Sequence, residues 1–178
     1  MTPGPAVFLD RDGVINRAIV RDGKPHPPDR VEDLDVLPGV ADALARLKAA
    51  GFALVVITNQ PDVARGRQTA DVVNAMHERL AALLPIDEFR VCWHDDKDSC
   101  DCRKPKPGLI TRPPLFDMHR SVVVGDRWRD IEAARRAGCR AAILVDYGYD
   151  EGPPVTPDVR VRSLAEGADW ILSTMVNA

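Results

Sequence analysis

Runs of largely apolar residues at 6–9, 54–57, 121–124 and 142–145, with a shorter one around Val91, constrain this chain more than any other feature. None alternates polar with apolar residues, as a strand with one wet face does. Continuous apolar strands belong to parallel sheets covered on both faces. Between them the spacing is helical. Pro38-Gly39 opens one helix, with Val40, Leu44 and Leu47 on one face and Gly51 placed to end it. Thr69 is positioned to cap a second, running to Leu84 and burying Val73, Met76, Leu80 and Leu83. A third is predicted over 130–137, stopping at Gly138, and a last short one over 168–175. The Pro-, Gly- and Asp-rich stretch 147–159 reads as loop. Strands alternating with helices predict an α/β fold, one doubly wound, Rossmann-like parallel sheet.

At 178 residues the chain fits a single domain, 1–178, large enough to bury a core without disulfides. Its formal net charge of −3 supplies no basic footprint for nucleic acid and no polybasic face for a membrane. No apolar run approaches the roughly 20 residues that span a bilayer. Residues 1–5 lack the charged and apolar regions of a signal peptide. The expectation is a cytoplasmic monomer.

Polar residues gather directly after the predicted strands: Asp10 and Asp12 after the first, Thr58 and Asn59 after the second, Asp126 after the fourth. The carboxyl ends of parallel strands form the ligand crevice of an open sheet, so these segments converge on one site. Singly, each is explained as a helix cap or turn former. Three strand ends carrying them at once call for a shared cause. Carboxylates gathered in one crevice repel unless a hard cation sits among them, and oxygen donors suit Mg²⁺.

A second cluster is compact in sequence. Cys92, His94, Cys100 and Cys102 supply three thiolates and an imidazole within one short loop, 92–102, whose other residues are mostly polar. That donor set matches a closed tetrahedral zinc site of the structural kind, with no open position for catalysis. Cys139, beside Gly138, reads as a core residue instead. Arg103 and Lys104 follow the loop at once, so a metal knot would hold and aim them. Arg recognises phosphate bidentately and Lys supplies a point charge.

Asp10-Arg11-Asp12-Gly13-Val14-Ile15-Asn16 resembles the first motif of the haloacid dehalogenase superfamily, in the D-x-D-G form of its phosphatases. Thr58-Asn59-Gln60 resembles the second motif, Arg103-Lys104-Pro105 the third, and Gly125-Asp126 with Asp130 the fourth. Order and spacing agree over nearly the whole chain. The zinc loop running into Cys102-Arg103-Lys104-Pro105 is similar to two groups within the superfamily, the heptose 1,7-bisphosphate 7-phosphatases and the histidinol-phosphate phosphatases. Asp10 to Asn16, Ala64-Arg65-Gly66 and Ala168-Asp169-Trp170-Ile171-Leu172 favour the heptose group.

The resemblance implies a Mg²⁺-dependent phosphatase with Asp10 as nucleophile and Asp12 as general acid and base. It implies metal ligation by Asp10, Asp126 and the backbone carbonyl of Asp12. Thr58 and Lys104 would grip the transferring phosphoryl oxygens, and Asn59, Gln60, Arg103 and Arg127 would contact substrate. Asp130 is expected to orient Lys104 or the metal's water shell. The partner implied is a small phosphorylated sugar, and the chain leaves no room for a large cap domain. Four features depart from the heptose pattern: Pro61-Asp62 after motif two, a short zinc loop, Pro113-Pro114 after Gly108, and Arg127 where Lys is common. Histidinol phosphate or another small sugar phosphate is the alternative substrate. An inactive zinc-stapled binding module is the non-enzymatic alternative, against which stand intact Asp10, Asp12, Lys104 and Asp126.

Overall fold

The apolar runs lie side by side in one parallel sheet. The computed structural model describes residues 3–149 and 151–176. Its elements are β1 (Ala6–Leu9), β2 (Ile19–Arg21), β3 (Lys24–His26), α1 (Val40–Ala49), β4 (Ala53–Asn59), α2 (Pro61–Ala64) and α3 (Ala70–Leu83). There follow β5 (Glu88–Cys92), α4 (Gly108–Thr111), β6 (Val122–Gly125), α5 (Trp128–Ala137), β7 (Ala141–Val145), β8 (Val159–Val161) and α6 (Leu164–Ile171). A π-helical segment, Leu172–Val176, continues α6.

The main sheet has the order β5-β4-β1-β6-β7-β8, with every pairing parallel. Leu9 is in register with Val56 on one side and Val124 on the other. The chain moves outward from β1 to β4 and β5, then returns to the opposite side of β1 with β6. Strand order therefore reverses at the carboxyl ends of β1 and β6, the position where open α/β sheets bind ligands. Alternate strand residues feed two cores. Val7, Leu9, Leu54, Val56, Val122 and Val124 pack with Leu44 and Leu47 of α1, Met76 and Leu80 of α3, and Ile171 of α6. Phe8, Val55, Ile57 and Val123 face Leu109 of α4 and Ile131 of α5. Burial on both faces is why these strands carry no polar alternation.

Several local expectations are corrected. Leu83 is 59% exposed, because the buried stripe of α3 runs through Val73, Met76, His77 and Leu80 and then to Leu84. The last helix begins earlier than residue 168, at Leu164, where Ser163 Oγ accepts from the Glu166 amide. Val159 lies in a short edge strand, not in loop. Pro61 occupies the first turn of α2, where its missing N–H costs nothing. Cys139 is half-buried and packs against the second core. No helix is long and apolar enough to cross a membrane among the described residues.

A β2–β3 hairpin, unforeseen from the sequence, closes on Asp22-Gly23, both with positive φ (51° and 71°). Consecutive left-handed residues of this kind suit a tight hairpin turn. Arg90 on β5 is wholly buried and donates to the carbonyls of Leu109, Ile110, Arg112 and Pro114, at 2.9–3.0 Å, while pairing with Glu88. It satisfies the carbonyl end of α4 and the turn beyond it. The segment that leaves the Cys/His loop is thereby fixed to the sheet.

Candidate active site

At the reversal point three carboxylates meet. Asp10 follows β1, Asp126 follows β6, and Asp130 stands in the first turn of α5; one oxygen of each lies within 4.8 Å of the others. Asp126 is 4% exposed, and neither of its carboxylate oxygens has a hydrogen-bond partner. A buried, unsatisfied carboxylate is costly. An oxygen-seeking divalent cation removes that cost, so the donor set fits Mg²⁺. Two glycines make the space. A Cβ on Gly13, whose φ is +94°, would stand 2.1 Å from Asp126 Oδ2. A Cβ on Gly125 would stand 2.1 Å from the Asp130 Cβ.

Lys104 answers part of this negative charge. Its Nζ donates to Asp10 Oδ1 at 2.8 Å, Asp130 Oδ1 at 2.6 Å and the Ile57 carbonyl at 2.9 Å. Burial depresses a lysine, but here Asp10 and Asp130 outweigh it and hold Lys104 above the ordinary lysine range. Burial pushes Asp10 up to about 6, opposed by Lys104 and reinforced by Asp130. Asp126 is raised well above the ordinary carboxylate range, first by burial and then by the charges of Asp10 and Asp130. Asp130 also accepts from the Arg127 amide at 3.1 Å, which fixes the start of α5. Asn59 and Lys104 exchange side-chain and backbone hydrogen bonds at 3.1 and 3.2 Å, tying the lysine's loop to β4.

A cavity of about 500 Å³ opens above these groups, with Asp10, Asp12, Thr58, Asn59 and Lys104 in its wall. Cations crowd its rim: Lys24 from the hairpin, Arg65 after α2, Arg103, Arg127 and Arg129. Most are already oriented by carboxylates. Arg103 Nε donates to Asp96 at 2.8 Å, and Arg127 pairs with Glu151. Arg65 binds Asp62 and Asp95, and with Asp95 it links the loop beyond β4 to the Cys/His loop.

Cys92, His94, Cys100 and Cys102 converge as one cluster with all four donor atoms within 4.8 Å. Cys92 Sγ is 3.7 Å from both Cys100 Sγ and His94 Nδ1, and Cys102 Sγ is 3.4 Å from His94 Nδ1. A zinc tetrahedron with bonds of about 2.3 Å to sulfur and about 2.0 Å to nitrogen has edges of about 3.5–3.8 Å. The donor set fits that ion.

The haloacid dehalogenase-like hydrolase pattern matches residues 28–138. The D-glycero-β-D-manno-heptose-1,7-bisphosphate 7-phosphatase of Escherichia coli strain K12 is 37% identical over 97% of this chain and 91% of its own. The chain belongs to the haloacid dehalogenase-like hydrolases. A heptose-1,7-bisphosphate 7-phosphatase from Thermosynechococcus vestitus is likewise 37% identical, over 95% of this chain and 96% of its own. The heptose bisphosphate phosphatase of B. bronchiseptica, solved with magnesium and phosphate, superposes with a TM-score of 0.80 at 34% identity, covering 95% and 98% of the two chains. The chain is thus a phosphatase of this hydrolase family, and its described residues form no large cap.

Among the hydrolase residues expected to touch substrate, Gln60 is placed otherwise. It is 1% exposed, and its amide is spent on Thr58 Oγ1 at 2.8 Å and Asp12 Oδ2 at 3.0 Å. It braces the Thr58 and Asp12 side chains rather than facing the cavity. Asn59 lines the cavity but commits both ends of its amide to the Lys104 backbone. Arg103 and Arg127 do reach the rim. Lys24, His26, Trp128, Arg129 and Glu151 also line the cavity and escaped the sequence reading. The Asp22-Gly23 turn is a sequence signal that could have revealed the hairpin carrying Lys24 and His26.

Proposed function

We propose that this phosphatase removes the 7-phosphate of D-glycero-D-manno-heptose 1,7-bisphosphate through an aspartyl-phosphate on Asp10. The observation that carries the chemistry is the unpartnered, buried Asp126 beside Asp10, under a cavity whose rim bears five further cations. That rim suits a substrate with a second phosphate. The choice of sugar is supported by the 37% identity, over almost the full chain, to enzymes bearing that name.

Asp10, Asp126 and the Asp12 backbone carbonyl would hold Mg²⁺, which neutralises charge between an anionic nucleophile and an anionic phosphate. A carboxylate oxygen of Asp10 attacks phosphorus in line with the sugar oxygen. As the new O–P bond forms, the old P–O bond breaks, and Asp12 gives its proton to the departing oxygen. Asp12, now ionised, takes a proton from water while the water oxygen attacks phosphorus. The Asp10–phosphorus bond breaks, inorganic phosphate leaves, and both aspartates return to their starting states. Thr58 and Lys104 grip the phosphoryl oxygens, where transition-state charge is spread. Cys92, His94, Cys100 and Cys102 would bind structural Zn²⁺ and stiffen the loop that delivers Arg103 and Lys104.

Phosphate release with Mg²⁺ tests the assignment, comparing both anomers of the heptose bisphosphate with histidinol phosphate and simple sugar phosphates, and with Asp10→Asn as control. The expected result is that one heptose anomer leads by at least about 10²-fold in kcat/KM, about 2.7 kcal/mol of discrimination. A lead for histidinol phosphate would replace the sugar assignment. Turnover no higher than that of Asp10→Asn would remove the enzymatic reading.

A further inference from the structure

Behind Asp12 lies a buried line of hydrogen bonds that phosphoryl transfer, as described, leaves unused. Arg11 is wholly buried and clasps the Asp12 carboxylate, with Nε 3.2 Å and Nη2 3.0 Å from both oxygens. Its Nη1 lies 3.2 Å from Nε2 of His77, on α3. A guanidinium only donates, so His77 Nε2 accepts and the ring proton sits on Nδ1. Burial, and after it the charge of Arg11, holds His77 down at about 3, which keeps the ring a neutral acceptor. The ring is stacked on Phe89 of β5, with centroids 4.6 Å apart. Asn16 Nδ2, at 2.9 Å from Oδ1, and Gln60 Nε2 complete the shell around Asp12.

We propose that His77 and Arg11 are positioning residues for the acid/base Asp12: the imidazole fixed on Phe89 locks the guanidinium, and the guanidinium sets the carboxylate's orientation toward the leaving oxygen. This role rests on the reading of Asp12 given above. An arginine has several rotatable bonds, and without an acceptor at Nη1 its fork loses a fixed orientation. Misplacing a catalytic group by about 1 Å can cost on the order of 10²-fold in rate.

The test compares first-turnover phosphorylation of the holoenzyme by a sugar phosphate, whose alkoxide needs a proton to leave, with p-nitrophenyl phosphate, whose phenolate leaves without one. His77→Phe keeps a ring on Phe89 but offers no acceptor; His77→Gln offers one. In His77→Phe the sugar-phosphate rate should fall about tenfold or more while its KM stays within about twofold. The nitrophenyl rate should change by less than about twofold, and His77→Gln should restore the sugar-phosphate rate to within about threefold. Equal slowing of both substrates, slowing of neither, or a Gln variant as slow as Phe overturns the proposal. Should His77→Phe melt below the assay temperature, His77→Asn, too short to reach Arg11, takes its place against His77→Gln. Asp12→Asn is run in parallel. If it shows no leaving-group dependence, the assignment of Asp12 falls; if it does and His77→Phe does not, only the positioning role falls.

Discussion

Three clustered carboxylates, only two of them paired with Lys104, make the metal-free site a source of instability that grows with pH. Burial raises Asp10 from an ordinary 3.8 to about 6. Between those values Asp10 binds more protons in the folded than in the unfolded state, so its contribution to stability falls as pH rises through this window. A difference of a little over two pH units, at about 1.36 kcal/mol each, amounts to about 3 kcal/mol lost by about pH 7. Asp126, also raised well above the ordinary carboxylate range by burial, and with no hydrogen-bond partner, adds in the same direction. Mg²⁺ takes the place of the lost protons, so its stabilisation should be larger at about pH 7.5 than at about pH 5, reaching about 2.7 kcal/mol at 100 times its Kd. The assay is urea unfolding in magnesium-free buffer without chelator, so that the Cys/His cluster is untouched, repeated with Mg²⁺. Asp126→Asn serves as the internal comparison, since groups far from the site contribute equally to both proteins. It should be more stable than the wild type at about pH 7 without metal, and respond less to Mg²⁺. A wild-type stability that, measured relative to Asp126→Asn so that the opposite pH trend of buried His77 cancels, stays flat or rises from about pH 4.5 to 7 without metal, or Mg²⁺ stabilisation equal at both pH values, would refute the reasoning.

Gly13→Ala should retain the fold yet lose at least about 10²-fold in kcat/KM and raise the Mg²⁺ requirement, because its Cβ would meet Asp126 Oδ2 at 2.1 Å; magnesium titration of activity checks this. Cys100→Ser should lower bound zinc, read by metal analysis, and raise KM more than it lowers kcat, because the loop carrying Arg103 is loosened while Lys104 stays pinned by Asp10, Asp130 and Asn59. An unchanged KM in folded, zinc-free protein would contradict that role. Arg90→Met should destabilise by about 3–5 kcal/mol, since Glu88 loses its buried partner and four carbonyls lose a donor. Denaturant unfolding measures the loss, and kcat of the remaining folded enzyme should hold.

The sheet was legible because its strands are buried on both faces and so read as uninterrupted apolar runs. The site was legible because a parallel sheet gathers strand ends, which brings Asp10, Thr58 and Asp126 into one crevice whatever the detailed geometry. What escaped had weaker local signals. β2 and β3 are three residues each and half-exposed, so no apolar run announces them, although Asp22-Gly23 marks their turn. Gln60 looked like a substrate contact by its place in a motif; only the fold shows its amide turned inward to Thr58 and Asp12. His77 lies in a helix whose apolar spacing marks Val73, Met76 and Leu80 as buried, with Leu83 the exception, yet a histidine within a stripe does not declare a partner 66 residues away. Arg129 and Glu151 reach the rim from the start of α5 and from a Gly/Pro-rich loop, placements set by tertiary packing alone.

If the 7-phosphate passes through Asp10, the phosphoryl group itself can be followed onto the protein. Heptose bisphosphate radiolabelled at the 7-phosphate is mixed with enzyme and Mg²⁺, quenched in acid within the first turnover, and the protein is digested and mapped. Label should appear on the peptide carrying Asp10, rise and decay at rates consistent with turnover, and be absent in Asp10→Asn. Label that reaches inorganic phosphate without appearing on protein, or that maps to another residue, would contradict passage through Asp10.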